Sequence, residues 1–503
     1  MTLKPTPLHI DEDKLKTVDK DLLRHLLKAT DVMGRLFLKQ SYHGNEKVLE
    51  ELEAEGDEET LERFWTHYGP FDRLKHDEPF IPGHEKPAGA GFYPDDLTKE
   101  EFEAWVDEHP ERKEAFEKPT TVIKRDEDGL VATPYHEEYQ EELEEASRHV
   151  AEAARHADDE SLKDYLEKLS RALVTDAYEE ADEAWLKLDG DLEVTIGPYE
   201  VYEDKLLGIK AAYEGSVCLV DHDETEKLEH LEGRRGLMEE ALPLDEEYGK
   251  AGSRSPIRIC NLLHSSGDAR AGVHYTAFNL PNDDKIRAKH GSKNVLLKNV
   301  AHAKFDACWT AIADELLDEE DKEEASFDAY YTHILLHELS HGLGPGATKD
   351  GVPVAKALGT AHSFLEEAKA DLLGVYYAKV LEDAGALETG MADSMLVTFV
   401  TGIFRSARFG IGEAHGGANI MAYNRLKEDG GAYLQDGKLV IHKEISRGSI
   451  TAMARDILNI QHHGDKEEAD RLVNKYKHLS KDVEDALERL EDVPIDIKPV
   501  MPL

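Results

Sequence analysis

The chain has 503 residues, 40% of them hydrophobic, and its 106 acidic and 60 basic side chains give a formal net charge of −46. This length allows two or three domains with a large buried core, and the composition excludes a disordered chain. Nucleic acid and anionic membranes would repel such a surface, so neither is an expected partner.

The acidic residues are distributed along the whole chain, as in EELEAEGDEE (50–59) and DELLDEEDKEE (314–324). We interpret this distribution as a solvated, salt-adapted surface, because steering of cationic substrates would require charge focused in one cleft. The N-terminus lacks the apolar segment of a secretory signal, and no apolar run reaches the length of a membrane span. We therefore expect a cytoplasmic protein.

Residues 1–185 are predicted to form acidic amphipathic helices, interrupted by a Pro/Gly-rich loop at 79–96. Residues 192–220 are rich in β-branched and aromatic side chains, which predicts strands. Strand character returns at 256–264 and 274–282. Cys218, Cys260 and Cys308 stand far apart without a CxxC pair, which predicts buried free thiols.

The second half of the chain is predicted to be mainly helical, over 300–385 and 391–428. A short hairpin follows, with Asp436 and Gly437 at its turn. Two further helices and an extended tail, VPIDIKPVMPL, complete the pattern.

The segment HILLHELSHGLGPG (333–346) contains an HExxH motif on a predicted buried helix that ends at a glycine cluster. His337 and His341 are four residues apart, so one helix face would present both imidazoles to a tetrahedral cation. Glu338 would lie beside them, where it could accept a proton from activated water. Burying these groups without partners would be costly, which favours a metal site over an ordinary core helix.

A catalytic zinc site needs a third protein ligand, and SFLEEAKADLLGVYYAKVL (363–381) offers candidates on a second helix. Glu367 and Asp371 share one face of that helix, and Glu366 is adjacent. An alternative for Glu366 is a capping box with Ser363, in which the carboxylate would serve only the helix start. The alternative for Glu367 is a surface carboxylate.

These motifs resemble the dipeptidyl peptidase III family of zinc exopeptidases, which pairs HExxGH with a downstream EExxAE-type motif. Two departures are present: the first motif lacks one residue, and Asp371 replaces the usual last glutamate. The resemblance implies that His337, His341 and Glu367 bind one Zn²⁺, and that Glu366 and Asp371 orient the imidazoles. Two imidazoles and a carboxylate also favour zinc over manganese or cobalt.

Three further segments resemble the family and occur in the family order. NLPNDDKIRAKHGSKNVLLKNV (279–300) resembles its substrate segment, with Asn279 and Asn282 at the matching positions. IGPYEVYED (196–204) resembles the segment with a transition-state tyrosine, which falls on Tyr199. GEAHGGAN (412–419) resembles the segment with a catalytic histidine, which falls on His415. The residues themselves leave other interpretations open, because a core tyrosine and a helix entry would show the same patterns.

The tyrosine segment also departs from the family pattern. Gly197, two residues before Tyr199, stands where a glutamate usually precedes the tyrosine, and Tyr202 is a rival position nearby. Glu214 is suggested as a partner for the substrate ammonium group, although its spacing from Tyr199 differs from that of the family. Glu200 or Glu203 could replace the missing acid.

The resemblance implies an α+β fold with two lobes around a deep cleft: a mainly helical zinc lobe and a mixed lobe with a small β-barrel-like core. We expect a mixed lobe of residues 1–225, joined by 265–305 and 490–503. We expect a zinc lobe of residues 306–489, joined by 226–264.

The implied function is zinc-dependent release of N-terminal dipeptides from short peptides, by a monomer or homodimer. The alternatives are a zinc-binding protein of the same fold without this activity, or a metallo-endopeptidase. A Nudix-type pyrophosphatase is disfavoured, because no segment shows the glycine-then-RExxEE pattern of that family.

Overall fold

The computed structural model describes residues 2–127, 129–244 and 256–503. The chain forms two compact units, each assembled from separate stretches of sequence. The helical unit contains the described parts of Met1–Lys4, His222–Arg254 and Ala301–Ile497, and the mixed unit contains those of Pro5–Asp221, Ser255–Val300 and Lys498–Leu503.

The helices in the described residues are α1 (Glu12–Leu15), α2 (Lys20–Ser41), α3 (Asn45–Glu55), α4 (Glu58–His67), α5 (Lys99–Glu108), α6 (Lys113–Glu117), α7 (Tyr135–Glu138), α8 (Gln140–His156), α9 (Glu160–Ala172), α10 (Glu179–Trp185), α11 (His222–Glu232), α12 (Arg235–Glu240), α13 (Asp284–His290), α14 (Lys298–Lys304), α15 (Thr310–Leu316), α16 (Glu319–Glu324), α17 (Phe327–His341), α18 (Val354–Leu358), α19 (His362–Asp383), α20 (Met391–Ala407), α21 (Ala414–Asp429), α22 (Lys443–His463), α23 (Lys466–Tyr476) and α24 (Lys481–Arg489).

The strands in the same residues are β1 (Leu3–Pro7), β2 (Phe71–Asp72), β3 (Glu78–Pro79), β4 (Thr121–Asp126), β5 (Gly129–Pro134), β6 (Leu192–Glu200), β7 (Ala212–Val220), β8 (Ile257–Gly267), β9 (Ala277–Leu280), β10 (Lys293–Leu297), β11 (Ala432–Gln435), β12 (Lys438–Ile441) and β13 (Asp496–Val500).

The mixed unit is built on a five-stranded sheet with the order β6-β7-β8-β10-β9. Only the β8–β10 pair is parallel; the other neighbours run antiparallel. Helix α2 packs across β7 and β8, and its residues Leu26, Met33 and Phe37 are buried. Gly215 of β7 permits this close packing, because a Cβ there would lie 2.8 Å from Cγ2 of Thr30.

The α+β class predicted from the sequence is confirmed, but the β-barrel-like core is not found in the described residues. The sheet is open, with β6 and β9 at its edges, so it does not close on itself. The strands predicted in 192–220, 256–264 and 274–282 are present as β6 to β9. The structure adds β10 and the β4–β5 hairpin, which the sequence analysis did not predict.

The unit boundary differs from the boundary that we expected near residue 264. Residues 257–267 form β8 at the centre of the sheet and therefore belong to the mixed unit. Part of the expected 226–264 stretch, residues 245–255, lies outside the described residues.

The helical unit contains α17 and α19 to α22 packed against one another around a common core. The predicted hairpin is present as β11 and β12, with positive φ at both Asp436 and Gly437. Three helices follow it instead of the two expected, because α22 ends at the left-handed Gly464 and α23 begins immediately after the cap Asp465.

The three cysteines are buried free thiols, as predicted. Among the described helices, none has the length and apolar character needed to cross a membrane.

Candidate functional site

The HExxH motif occupies the last turns of α17. The Ser326 hydroxyl caps the start of this helix by accepting from Ala329 N, and the helix ends at Gly342. No extra residue interrupts the helix between His337 and His341, and their Nε2 atoms lie 3.1 Å apart. The two imidazoles therefore point toward one location, as the four-residue spacing predicted.

Helix α19 lies directly against α17. Gly374 of α19 permits this approach, since a Cβ there would lie 3.0 Å from Cδ2 of His333 and 3.4 Å from the backbone N of His337. The Oε2 atom of Glu367 lies 3.3 Å from His337 Nε2 and 3.8 Å from His341 Nε2. Three potential ligand atoms from two helices thus converge.

Two other carboxylates of α19 contact the imidazoles, one at the Nδ1 atom of each ring. Asp371 Oδ1 lies 2.7 Å from His337 Nδ1, and Glu366 Oε1 lies 2.9 Å from His341 Nδ1. A carboxylate at Nδ1 fixes the tautomer and ring orientation that direct the Nε2 lone pair toward a metal. These are the contacts expected from the orienting roles predicted for Glu366 and Asp371.

The capping box between Ser363 and Glu366 is not formed. Helix α19 begins at His362 after Ala361, and no side chain caps it. Glu366 instead interacts with His341, with Lys369 Nζ at 2.8 Å and with Gln461 Nε2 at 2.9 Å.

Further buried residues support the two orienting carboxylates, and the sequence analysis did not single them out for this role. Asn419 Nδ2 donates to Asp371 Oδ2 at 2.6 Å, and the imidazole of His333 lies 3.0 Å from the backbone oxygen of Asp371. Lys369 also donates to the carbonyl of Leu343 at 3.1 Å. Asn419 and Gln461 are 48 and 95 residues from their partners, so no local spacing could reveal them.

The electrostatics of the site keep its carboxylates ionised. Burial by itself raises the pKa values of Glu366 and Asp371, but the neighbouring Lys369 and His337, respectively, hold both pKa values well below their usual range. The pKa of Glu367 is also lowered: burial opposes this shift, and His337, His415 and His341 produce it. All three carboxylates can therefore act as anions toward an imidazole or a cation.

His415 lies beside these ligand atoms. Its Nδ1 is 3.3 Å from Glu367 Oε2, and its side chain is 64% exposed. Gly416 and Gly417 permit close packing at the start of α21, since a Cβ on either would collide with Gly410 O or the Phe364 ring. The glycines thus have a packing role, and the imidazole remains accessible.

Glu338 is half-buried on α17, next to His337 in the sequence. Its negative charge is among the influences that act on the His337 imidazole.

The donor set fits a zinc ion. Nitrogen atoms of His337 and His415 and an oxygen of Glu367 lie within 4.8 Å of one another, and His341 Nε2 adjoins His337 Nε2. The buried Oε2 of Glu367 makes no hydrogen bond within the part of the chain that the structure describes. Two neutral imidazoles and one carboxylate match a catalytic zinc site, which leaves a further position open.

The remaining predicted residues lie in the mixed unit. Asn279 lies on β9, an edge strand of the sheet. Its Nδ2 donates to Asn294 Oδ1, and its Oδ1 is buried without a hydrogen bond among the described residues. Asn282 Nδ2 donates to the backbone oxygen of Tyr199 at 3.1 Å.

The two tyrosines of this segment differ in environment. The hydroxyl of Tyr199 donates to Ile196 O at 3.1 Å, on its own strand, and burial raises its pKa well above the usual value. Tyr202, by contrast, is 79% exposed. The Tyr199 hydroxyl thus contacts its own strand, whereas the Tyr202 side chain is open to solvent.

Glu214 belongs to a group of carboxyls in the mixed unit. It is 3% exposed, and its Oε2 has no hydrogen bond among the described residues. Burial, then the charges of Asp268 and Glu200, raises its pKa well above the usual value. Burial and the nearby Glu203 likewise raise the pKa of Asp268 to about 7. This excess of carboxyls would be stabilised by a cation.

Comparison with known proteins relates this chain to a peptidase family. The model of peptidase family M49 matches residues 97–351. Among solved structures, DPP III from Caldithrix abyssi superposes with a TM-score of 0.96 at 40% identity, over 99% of this chain and 97% of that one. Dipeptidyl-peptidase III from Corallococcus sp. strain EGB gives 0.81 at 37% identity, over 99% and 95%.

Two curated proteins are also similar to this chain in sequence. Nudix hydrolase 3 of Arabidopsis thaliana is 33% identical over 99% of this chain and 73% of its own length. Dipeptidyl peptidase 3 of Dictyostelium discoideum is 29% identical over 38% of this chain and 27% of its own length. The family match, the full-length structural similarity and the histidine–carboxylate site agree with one another. The chain belongs to peptidase family M49.

Proposed function

We propose that this chain is a zinc-dependent exopeptidase that releases dipeptides from the free amino termini of short peptides. The observation that carries the proposal is the convergence of His337 Nε2, His341 Nε2 and Glu367 Oε2. Asp371 and Glu366 orient the two imidazoles. These three residues would hold the metal. When bound, Zn²⁺ would supply Lewis-acid activation of water and of the scissile carbonyl.

Glu338 is the proposed general base. Its position next to His337 on α17 puts a carboxylate beside the ligand pair without making it a ligand. It would accept the proton of the attacking water and pass it to the leaving amine. Its side chain is half-buried on this helix.

We assign His415 to the reacting substrate. Its exposed imidazole, 3.3 Å from the proposed ligand Glu367, can donate a hydrogen bond to the oxygen that becomes negatively charged during attack.

For the transition-state tyrosine, we replace Tyr199 with Tyr202. The exposed Tyr202 hydroxyl is free to meet a substrate, whereas that of Tyr199 is bonded to its own strand. The reassignment also removes one departure of this segment from the family pattern, the missing glutamate. Glu200 then stands two residues before the tyrosine, whereas Gly197 has that position relative to Tyr199. The spacing from Tyr202 to Glu214 is also three residues shorter than that from Tyr199.

Capture of the substrate amine is assigned to the mixed unit. The Oδ1 of Asn279, which has no hydrogen bond among the residues that the structure describes, can accept from an ammonium group, and Asn282 lies on the same segment. Glu214 and Glu200 would provide compensating negative charge, because an ammonium group nearby favours their ionised forms. Binding of the amine would thereby limit cleavage to a fixed distance from the N-terminus.

The proposal also covers the cellular compartment, the partners and the oligomeric state of the enzyme. Its distributed charge of −46 suits a salt-adapted protein, and its three buried free thiols suit a reducing cytoplasm. We propose peptides as its partners, and a monomer or a homodimer as its working form.

The test is digestion of an octapeptide, with a free or an acetylated N-terminus, followed by mass spectrometry of the products. We expect dipeptide release from the free peptide and a strongly reduced rate for the acetylated one. Equal cleavage of both, or internal cuts, would identify a metallo-endopeptidase. Zinc binding without turnover would identify a zinc-binding protein. No pyrophosphatase activity is proposed, because the chain lacks the glycine-then-RExxEE pattern.

A further inference from the structure

The exposed Tyr202 lies in a tight turn of the mixed unit. A hydrogen bond from Asp204 N to Val201 O, 3.1 Å long, closes the turn and leaves Tyr202 and Glu203 as its two central residues. The two side chains have opposite environments: Tyr202 is 79% exposed, and Glu203 is 3% exposed. Whatever fixes Glu203 therefore also fixes the backbone from which Tyr202 projects.

Two cations fix Glu203. Arg73 Nη1 donates to its Oε2 at 2.7 Å, and Lys86 Nζ lies 2.6 Å from its Oε1. The Lys86 side chain is 8% exposed and that of Arg73 17%, so the group is largely screened from water. Lys86 also lies 3.5 Å from Asp77, which in turn pairs with Lys205 on the far side of the turn.

The next residue, Asp204, is held equally firmly. Its carboxylate accepts backbone hydrogen bonds from 206, 207, 209 and 210, which order the chain after the turn. The same carboxylate accepts from the buried hydroxyl of Tyr93 at 2.7 Å. Lys86 and Tyr93 both belong to the Pro/Gly-rich loop at 79–96, which has one short 3₁₀ turn, Ala90–Phe92, and otherwise little regular structure.

We propose that Arg73, Lys86 and Glu203 are positioning residues for the peptidase reaction, and that the 79–96 loop holds the turn so that Tyr202 meets the substrate. This inference rests on the role proposed above for Tyr202. It gives a function to part of residues 1–185, for which only acidic helices and a Pro/Gly-rich loop were predicted from the sequence.

The physical basis is the cost of leaving one member of a buried ion cluster unpaired. Removing Glu203 would leave two cations facing each other, whereas removing Lys86 leaves Glu203 with Arg73. Lys86→Met is therefore the milder variant, because it keeps the chain's length and apolar stem. A small displacement of a group that meets the transition state can lower the rate by about 10-fold to 100-fold.

A double-mutant cycle tests the inference. The turnover rate of an arginyl-arginyl chromogenic dipeptide is measured for the wild type, Lys86→Met, Tyr202→Phe and the double variant, with zinc content and melting temperature recorded for each. We expect each single change to lower kcat more than it alters KM. We expect the double variant to be no slower than Tyr202→Phe alone, within about twofold, because Lys86 acts through Tyr202.

If the kcat losses of Lys86→Met and Tyr202→Phe multiplied in the double variant, this inference would be overturned and the proposed function would stand. An unchanged kcat in Tyr202→Phe would overturn the role of the tyrosine, and the inference with it. Arg73→Lys should retain more activity than Arg73→Met, since it keeps the charge opposite Glu203.

A matched control separates positioning from loss of stability. Asp176, a buried carboxylate elsewhere in the mixed unit, accepts from the backbone N of His136 and pairs with its Nδ1 at 2.7 Å. Asp176→Asn removes a charge of similar burial. At an equal decrease in melting temperature, this control should keep kcat within about twofold of the wild type, whereas Lys86→Met should not. Equal decreases in kcat in Asp176→Asn and Lys86→Met would contradict the inference.

Discussion

His337 and Asp371 form the shortest of the contacts that orient the two motif imidazoles, with 2.7 Å between Nδ1 and Oδ1. Asp371 occupies the position at which the resembled family usually has a glutamate, so the shorter side chain still reaches the imidazole. Its other oxygen accepts from Asn419. The buried aspartate is therefore held at both oxygens, as Glu366 is by His341 and Lys369 at one oxygen and by Gln461 at the other.

Removal of the proposed base should separate catalysis from metal binding. Glu338→Gln is expected to retain a full complement of zinc and to lose at least about 100-fold in kcat, because only the proton acceptor is changed. Glu367→Ala should lose zinc as well. Metal analysis beside turnover of the chromogenic dipeptide measures both, and loss of zinc from Glu338→Gln would mean that base and ligand had been interchanged.

The orienting carboxylates should control metal affinity. Asp371→Asn and Glu366→Gln are each expected to weaken zinc binding about 10-fold to 100-fold, measured by competition with a chelator. Ser363→Ala is the matched control on the same helix and should leave both zinc affinity and stability unchanged. A loss of about 1 kcal/mol of stability in Ser363→Ala would instead support the capping box.

His415→Ala tests the substrate role of the exposed imidazole. Since its side chain is 64% exposed, its removal should cost little packing. We expect a lower kcat with zinc content and melting temperature nearly unchanged. A large decrease in melting temperature would favour a role at the start of α21 only.

The stability of the chain should increase with salt. With a net charge of −46, mutual repulsion of surface carboxylates opposes folding in dilute buffer, and salt screens that repulsion. The melting temperature is expected to rise from dilute buffer to molar KCl. A flat or falling response, measured by calorimetry, would contradict salt adaptation.

Asp182 should make the stability of the mixed unit depend on pH. Burial, with a contribution from Asp283, raises its pKa from 3.8 to about 7. The folded state therefore prefers the protonated carboxyl. The stabilising contribution is complete below pH 3.8 and is lost as the pH rises through about 7, with an upper limit of about 4 kcal/mol.

Asp182→Asn removes this titration. The variant should be more stable than the wild type at pH 8 and similar to it near pH 4, as measured by denaturant unfolding. A constant difference between the two proteins across this range would show that Asp182 does not titrate as expected.

The zinc motif was predictable because its geometry is local. The spacing of His337 and His341 and the apolar run around them determine a helix and a shared face. The second helix was predictable for the same reason. Asn419 and Gln461 could not be predicted for their supporting role, since only tertiary packing brings them to Asp371 and Glu366.

The mixed unit was harder to predict. The inward orientation of Tyr199 depends on Ile196 O and on its surroundings, and a strand pattern does not specify such a contact. Strand β10 was missed because it is short and is fixed by partners on both sides, β8 and β9. The hairpin of β4 and β5 was missed because it interrupts a stretch whose acidic periodicity is helical.

Gly374 has no ligand atom, yet it governs how near the helix carrying the histidine pair lies to the helix carrying Glu367. The distance between the two helices therefore depends partly on a residue without a donor atom. An alanine at this position would require the His333 ring or the helix backbone to shift by a few tenths of an ångström. The spacing of the donor atoms is thus sensitive to a residue outside the ligand set.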